Sequence, residues 1–216
     1  MKTMDLQTVE CGESRTILLE RLADMHFVLE EGARLQVIYV GTKGEKSRAV
    51  FELAGALAEL NFLGIIIGTG SERFELETVG RHGAPNTKAR FLLQSALFDK
   101  SAVDYLGNLI VEPAGQITNT DLRHRTLLLS DGARAKSVPA LEILADDVKA
   151  GHAATIGKVD KELLFYFQSR GIDAQVATQL IVMGFFEAQL SLILDEEIRL
   201  EVRKKIVESL PFSYDV

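Results

Sequence analysis

The sequence contains very little cysteine. Cys11 is the single cysteine in 216 residues, and tryptophan is absent. A lone cysteine excludes both an internal disulfide and a metal site built from a cysteine cluster. No run reaches the roughly 18 consecutive apolar residues that a membrane-spanning helix requires, and the acidic, polar N-terminus lacks the apolar core of a secretory signal. We therefore predict a cytoplasmic protein that does not enter a membrane.

Positive charge is also in short supply, because the formal net charge is −7. This excess of acids argues against non-specific binding to nucleic acid or to anionic membranes, which depends on basic surfaces. The hydrophobic fraction of 47% and the charged fraction of 25% are ordinary for soluble globular proteins. A chain of this length can bury one substantial core and a small second one.

Complete catalytic motifs are missing as well. The sequence has no G-x-S-x-G, H-E-x-x-H or C-x-x-C pattern, and GTKGEKS at 41–47 does not meet the spacing of a phosphate-binding loop. We therefore predict that the chain is not an enzyme. A β-helix enzyme acting on carbohydrates would need clustered acids or bases along one sheet, and none is evident.

Short apolar runs fill the chain from about residue 15 to 155. From Arg73 onward the run starts are roughly 15 to 18 residues apart, which is typical of strands separated by turns. Alternation in RFELETV and ALEILA places Glu75, Glu77 and Glu142 opposite the apolar side chains. The runs used for this prediction begin at Leu35, Ala49, Phe62, Arg73, Arg90, Asn108, Arg125 and Ala140.

Two all-β folds fit this spacing equally well. A sandwich or jelly roll favours tight hairpin turns such as Asn-Gly, and none lies between these strands. A parallel β-helix needs a nearly constant turn length with small or polar residues at its corners. The residues that suit such corners are Gly80, Gly83, Gly107, Asn119, Asp131 and Gly132.

The last part of the chain changes to helical periodicity. Asp160 and Asp173 are suitable N-caps, Gly171 suits a helix C-terminus, and Pro211 suits the end of a third helix. We predict a β core over residues 1–156 and a helical domain over 157–216, docked as a cap on one end of the strand stack.

His152 is the most conspicuous polar residue between the last predicted strand and the first helix. Its neighbours are small, so its imidazole could be accessible as a ligand or a proton-transfer group, or the segment could simply form a tight crossing. RHGAPNT at 81–87 and TNTDLRH at 118–124 also carry histidines, and corner geometry explains them as readily as anion binding does.

The sequences of three segments resemble those of the SufB/SufD family, whose members are subunits of the SUF machinery for iron–sulfur cluster assembly. These segments are LLLSDGARAKSVPALEILADDVKAGHAAT, GKVDKELLFYFQSRGI and GNLIVEPAGQITNTDLRH, and RHGAPNT also resembles a family turn. The likeness covers roughly residues 80 to 190. It implies a mainly β protein, with a right-handed parallel β-helix followed by a C-terminal α-helical domain.

The resemblance also implies partners. Family members pair through their β-helices and carry a SufC-type ABC ATPase on the helical domain, so we expect a homodimer with one ATPase bound per chain. The apolar stripe of the second helix (Val176, Leu180, Met183 and Phe186) would partly face that partner. The residues expected to contact the ATPase are Phe165, Tyr166, Arg170, Met183, Phe185 and Phe186.

The implied cluster site is incomplete. Its histidine corresponds to His152, which we expect to contact a cluster or metal, but the family cysteines correspond to Ala133 and Ala150. An iron–sulfur cluster would therefore need replacement ligands such as His82, His124 or Asp131, or the cysteines of a partner subunit. A scaffold or accessory subunit for cluster assembly and a purely structural ATPase partner both remain open.

Overall fold

The computed structural model describes residues 5–211, which form twelve strands and three helices. Four of the strands (β1, β2, β3 and β12) lie outside the apolar runs used for prediction. The strands are β1 Asp5–Val9, β2 Ser14–Leu19, β3 Met25–Leu29, β4 Arg34–Gly41, β5 Glu45–Leu53, β6 Glu59–Gly68, β7 Arg73–His82, β8 Lys88–Leu97, β9 Ala102–Val111, β10 Thr118–Leu128, β11 Arg134–Ile143 and β12 Val148–Lys158. The helices are α1 Lys161–Ser169, α2 Ala174–Leu190 and α3 Glu196–Ser209.

The strands form two parallel sheets, and successive strands along the chain belong alternately to one sheet and to the other. The first sheet has the order β1-β3-β5-β7-β9-β11, and the second has the order β12-β10-β8-β6-β4-β2. Because each strand pairs with the strand two places along the chain, the backbone coils from one sheet to the other. This topology confirms the parallel β-helix and excludes the sandwich.

The main core lies between the two sheets. Phe27 and Phe51 stack with ring centroids 5.4 Å apart, and the rings of Phe62 and Phe91 lie 5.7 Å from that of Phe51. Side chains alternate across each strand, so every second residue enters this layer. The predicted alternation in β7 is confirmed, since Phe74 is buried whereas Glu75 is exposed. Because the parallel strands are aligned, their interior side chains stack on one another in continuous columns.

The prediction of corner residues is only half correct. Gly83, Asp131 and Gly132 lie in the connections, whereas Gly80, Gly107 and Asn119 lie within strands. Gly80 is required inside β7 because a Cβ there would lie 2.7 Å from the Phe91 ring. A Cβ at Gly107 would lie 2.5 Å from the Leu122 side chain. These glycines make room for large core neighbours instead of turning the chain.

Helices α1 and α2 begin, and α1 and α3 end, where the sequence predicts. The Asp160 carboxylate accepts hydrogen bonds from the backbone N–H groups of Glu162 and Leu163, and Asp173 caps α2 in the same manner. Gly171 has a φ of 81°, the left-handed conformation expected just after a helix. Within residues 5–211, no helix is both long enough and apolar enough to cross a membrane.

The helical domain does not cap an end of the strand stack, so that prediction is wrong. Helices α2 and α3 instead pack on the outer face of the second sheet and form a second apolar core there. The sheet contributes outward-facing Ile38, Leu63 and Ile65, and α2 contributes Phe186 and Leu190. Burying this apolar sheet face is more favourable than covering a strand edge, because the free energy gained on burial is proportional to the apolar area removed from water.

Candidate functional site

One end of the β-helix is formed by β11 and β12, and the other end by β1 and β2. Strand β11 is last in the first sheet and β12 is last in the second, so within residues 5–211 each has a hydrogen-bonded neighbour on one side only. Such edges present unpaired backbone N–H and C=O groups and are common places for another chain to add. The open end, defined by β11 and β12, is therefore the first candidate site.

His152 lies within β12 at the open end, and not in a strand-to-helix crossing. It is aligned with Leu122 of β10, which is aligned with Phe91 of β8. Aligned residues of parallel strands share a face, so His152 continues the interior column of Phe91 and Leu122. Both of those residues are fully buried, whereas His152 is exposed because it belongs to the last strand. Its imidazole is accessible at the end of the core.

The rest of the terminal layer is mostly apolar. Ile143 and Ile156 are 40% and 44% exposed, which is high for side chains on the interior face. The other interior-facing positions of the two strands, assigned from their register, are Ala135, Ser137, Pro139, Leu141 and Ile143 of β11 and Val148, Ala150, Ala154, Ile156 and Lys158 of β12. This layer is suited to burial against another apolar surface.

No thiol lies in this layer. Ala150 is on β12 two positions before His152, and Ala133 is buried in the turn before β11. Cys11 lies between β1 and β2, at the other end of both strand orders. The Cys11 thiol donates a hydrogen bond to the Glu30 carboxylate at 3.2 Å, and this bond is the main reason that its pKa is raised.

The substitute ligands expected from the sequence do not join His152. His82 and His124 are buried inside the β-helix, and Asp131 pairs with Lys158 at 2.8 Å on the surface. In the part of the chain that the structure describes, no three His, Cys, Asp or Glu side chains are grouped so as to hold a metal ion. An iron–sulfur cluster held by one copy of this chain does not fit this donor set.

The two buried histidines form interior hydrogen bonds. His82 Nδ1 lies 2.8 Å from the Thr87 hydroxyl, and His124 Nε2 lies 3.1 Å from the hydroxyls of Ser95 and Thr126. Desolvation by burial lowers the pKa of each imidazole to about 4, so both are neutral at pH 7. The residues at 81–87 span the end of β7 and the corner to β8, which agrees with the corner interpretation.

A second candidate site is the exposed face of the helical domain. Helix α1 contains no buried residue at all, and Phe165 and Tyr166 are 70% and 53% exposed. The Arg170 guanidinium lies 5.2 Å from the centre of the Tyr166 ring. We define the helical patch as the exposed apolar side chains of α1 and of the first half of α2, namely Leu163, Phe165, Tyr166, Val176 and Leu180.

The other predicted contact residues lie deeper in the protein. Met183 and Phe185 are half-buried, and Phe186 is fully buried against the second sheet. Phe186 is therefore a core residue and is not available to a partner, which corrects its assignment. Leu163 was missed, although it is on the same short helix as Phe165. The sequence could have indicated its exposure, because α1 contains more apolar residues than so short a helix can bury.

Comparison with known proteins is consistent with this architecture. The family model described as the SufBD core domain of SUF system FeS cluster assembly matches residues 18–185. An iron–sulfur cluster assembly SufBD family protein of Mycobacterium leprae is 34% identical over 189 residues, which cover 82% of this chain and 48% of that protein.

Two further relatives match shorter segments. The iron–sulfur cluster assembly protein SufD of Escherichia coli is 30% identical over 160 residues, or 74% of this chain and 38% of SufD. A SufBD family protein of Pyrococcus horikoshii is 41% identical over 115 residues, or 53% of this chain and 25% of that protein. The chain thus spans about half, or less, of the length of these relatives.

Proposed function

Because the chain belongs to the SufBD family of the SUF iron–sulfur cluster assembly system, we propose that it is a non-catalytic assembly subunit that binds a SufC-type ABC ATPase. The observation that carries the ATPase proposal is the helical patch. A nine-residue helix with no buried residue and several exposed apolar side chains gains little from its own chain. A partner that covers the patch would supply the missing apolar burial.

The composition of the helical patch supports a protein partner. Phe165 and Tyr166 are aromatic, and the Arg170 guanidinium lies over the Tyr166 ring. Aromatic and arginine side chains are the residue types that most often dominate binding energy at protein interfaces. Val176 and Leu180, on the helix that packs beside α1, are also exposed and apolar.

The test is binding of the SufC-type ATPase to the variant Phe165→Asp. A carboxylate at this position would be buried and unpaired in the contact with the ATPase, so we expect the affinity to fall at least about 100-fold. Leu200→Asp is the matched control, because Leu200 is 57% exposed on α3 and outside the helical patch. Affinities can be measured by isothermal titration calorimetry.

Equal ATPase binding by wild-type protein and a correctly folded Phe165→Asp variant would contradict this docking surface. An equal loss in Leu200→Asp would point to a non-specific effect of charge instead. Circular dichroism of each variant establishes that it is folded, and we expect no change because both side chains are largely exposed.

We further propose that two copies of the chain pair through their open ends. The support is the combination of two unpaired strand edges with an exposed apolar layer that includes Ile143 and Ile156. A two-fold axis at this end would pair edge with edge and cover both layers. It would also place the two copies of His152 at the same interface.

A second role, as a structural ATPase partner without cluster chemistry, is favoured by the lack of thiols around His152. Anaerobic reconstitution with iron and sulfide separates the two roles. We expect no cluster absorbance from this chain alone, because one imidazole per copy is too few ligands. A cluster that forms on the complex and is lost in His152→Ala would assign His152 to the cluster, with partner thiols completing the site. No cluster with any partner would support the structural role.

A further inference from the structure

Strand β12 is the last strand of the second sheet, and the backbone groups on its free side have no hydrogen-bond partner in the described part of the chain. In a parallel ladder, successive residues direct their N–H and C=O groups alternately to the two sides of the strand. The Val159 N–H donates to the Leu128 carbonyl of β10, so the odd-numbered residues of β12 bond to β10. The even-numbered residues, from Val148 to Lys158, therefore direct both backbone groups to the free edge.

The free edge of β11 is interrupted, whereas that of β12 is not. The N–H groups of Arg134 and Leu144 donate to the β9 side of the first sheet, so the odd-numbered residues of β11 face the free edge. Pro139 is one of these and has no N–H group, which leaves a gap at the centre of the β11 edge. The sequence of β12 contains no proline, so its edge offers an unbroken row of donors and acceptors.

Mostly small side chains line the outer face of β12. The residues on this face are Lys149, Gly151, Ala153, Thr155 and Gly157. A Cβ at Gly157 would have no heavy atom within 4 Å apart from its chain neighbours, so no close contact in the range 5–211 accounts for this glycine. Small residues on a strand leave space for the larger side chains of another strand placed alongside.

The sequence of β12 is self-complementary about Ala153. When a second copy of β12 lies antiparallel to the first with the two Ala153 residues opposite each other, every edge-facing residue from Val148 to Lys158 is paired. A shift of this register by one residue leaves the edge-facing groups of a terminal residue without a partner. In the centred register, large side chains face small ones. The opposed pairs are His152 with Ala154, Ile156 with Ala150, Lys149 with Gly157, and Thr155 with Gly151.

The end of the β-helix formed by β1 and β2 is less suited to such pairing. Arg15 of β2 is aligned with the buried Leu35 of β4, so its side chain is on the interior face. The Arg15 guanidinium pairs there with the Glu13 carboxylate at 2.8 Å. Inward-pointing charged side chains on an edge strand oppose the addition of a further strand.

We infer that two copies of the chain are joined by an antiparallel ladder between their β12 strands, with the two-fold axis passing beside Ala153. This ladder rests on the proposed pairing of two copies at the open end, and it names the strand and the register that hold them together. The second sheets of the two copies then form one continuous sheet. Because the contact uses the same strand once in each copy, it closes at two copies.

Cysteine substitution at the axis tests this register in the intact protein. Cys11→Ser first removes the native thiol, which is exposed. Ala153→Cys then places two thiols in a non-hydrogen-bonded pair with Cα atoms about 4.5 Å apart, within the range of disulfides. We expect mild oxidation to convert most of this variant to a covalent dimer on non-reducing electrophoresis. Thr155→Cys is the matched control, because it is exposed on the same face but its two copies would be about 14 Å apart.

Light scattering of each reduced variant after size-exclusion chromatography reports separately whether the chain is dimeric. A dimer in which Thr155→Cys links as readily as Ala153→Cys, or in which neither variant links, would overturn the β12 ladder and leave pairing at the open end intact. A monomer that links at neither position would contradict both. None of these outcomes depends on whether the ATPase binds the helical patch.

Discussion

Replacing Phe186 with alanine is expected to lower the free energy of unfolding by about 3–5 kcal/mol, the usual cost of truncating a buried phenylalanine. The Phe186 side chain is fully buried between α2 and the outer face of the second sheet. Truncation removes apolar contacts from both elements and leaves a cavity between them. Since native domains are stable by only about 5–15 kcal/mol, this loss is large.

The loss should be concentrated in the helical domain. Hydrogen exchange of the Phe186→Ala variant should show faster exchange in α2 and α3, while the central β strands keep their protection. Phe165→Ala is the matched control, because that ring is 70% exposed and its truncation should change stability by no more than about 0.5 kcal/mol. A similar small change in Phe186→Ala, measured by urea unfolding, would contradict the second core.

Acidification is expected to destabilise the β-helix through His82 and His124. Burial lowers the pKa of both imidazoles to about 4, whereas an unfolded histidine titrates near 6.5. The unfolded state therefore binds more protons between these values, so stability is highest above pH 6.5 and falls as the pH is lowered towards 4. At about 1.4 kcal/mol per pKa unit, each histidine accounts for a loss of about 3 kcal/mol.

Urea unfolding at a series of pH values measures this effect. The double variant His82→Asn and His124→Gln should lose most of the pH dependence between pH 6.5 and 4. His152→Gln serves as the control, because it also replaces a histidine but one that is exposed at the open end. A slope that is the same in the wild type and the double variant would show that other groups cause the acid sensitivity.

The sequence predicted the strands best where one face is buried and the other is not. The alternation in β7 carries that information directly, because exposed Glu75 separates the buried Phe74 and Leu76. Strand β12 was missed because its sequence, VKAGHAATIGK, consists mostly of small residues and does not alternate between polar and apolar ones. As the last strand, it has little apolar surface to bury, and its outward face needs only small residues beside β10.

The position of the helical domain was missed for a different reason. The runs in β4 and β6, containing LQVIYV and FLGIIIG, are continuously apolar instead of alternating. That pattern is typical of strands buried on both faces. It indicates that another element covers the second sheet, and the structure identifies that element as α2 with α3.

The two candidate sites differed in how much the sequence could show. Residues of α1 such as Phe165 are close together in the chain, so their common exposure on a short helix could be anticipated. The environment of His152 could not, because β12 was not predicted as a strand.

The most direct test of the account is native mass spectrometry of the chain purified together with a SufC-type ATPase. We predict a complex of two copies of this chain and two of the ATPase, joined through the open end and the helical patch. Ile156→Asp, which places a charge on the apolar layer of the open end, should reduce it to one copy of each. A chain that remains monomeric and carries no ATPase at concentrations of about 10 μM, where even a micromolar complex would be populated, would contradict the account.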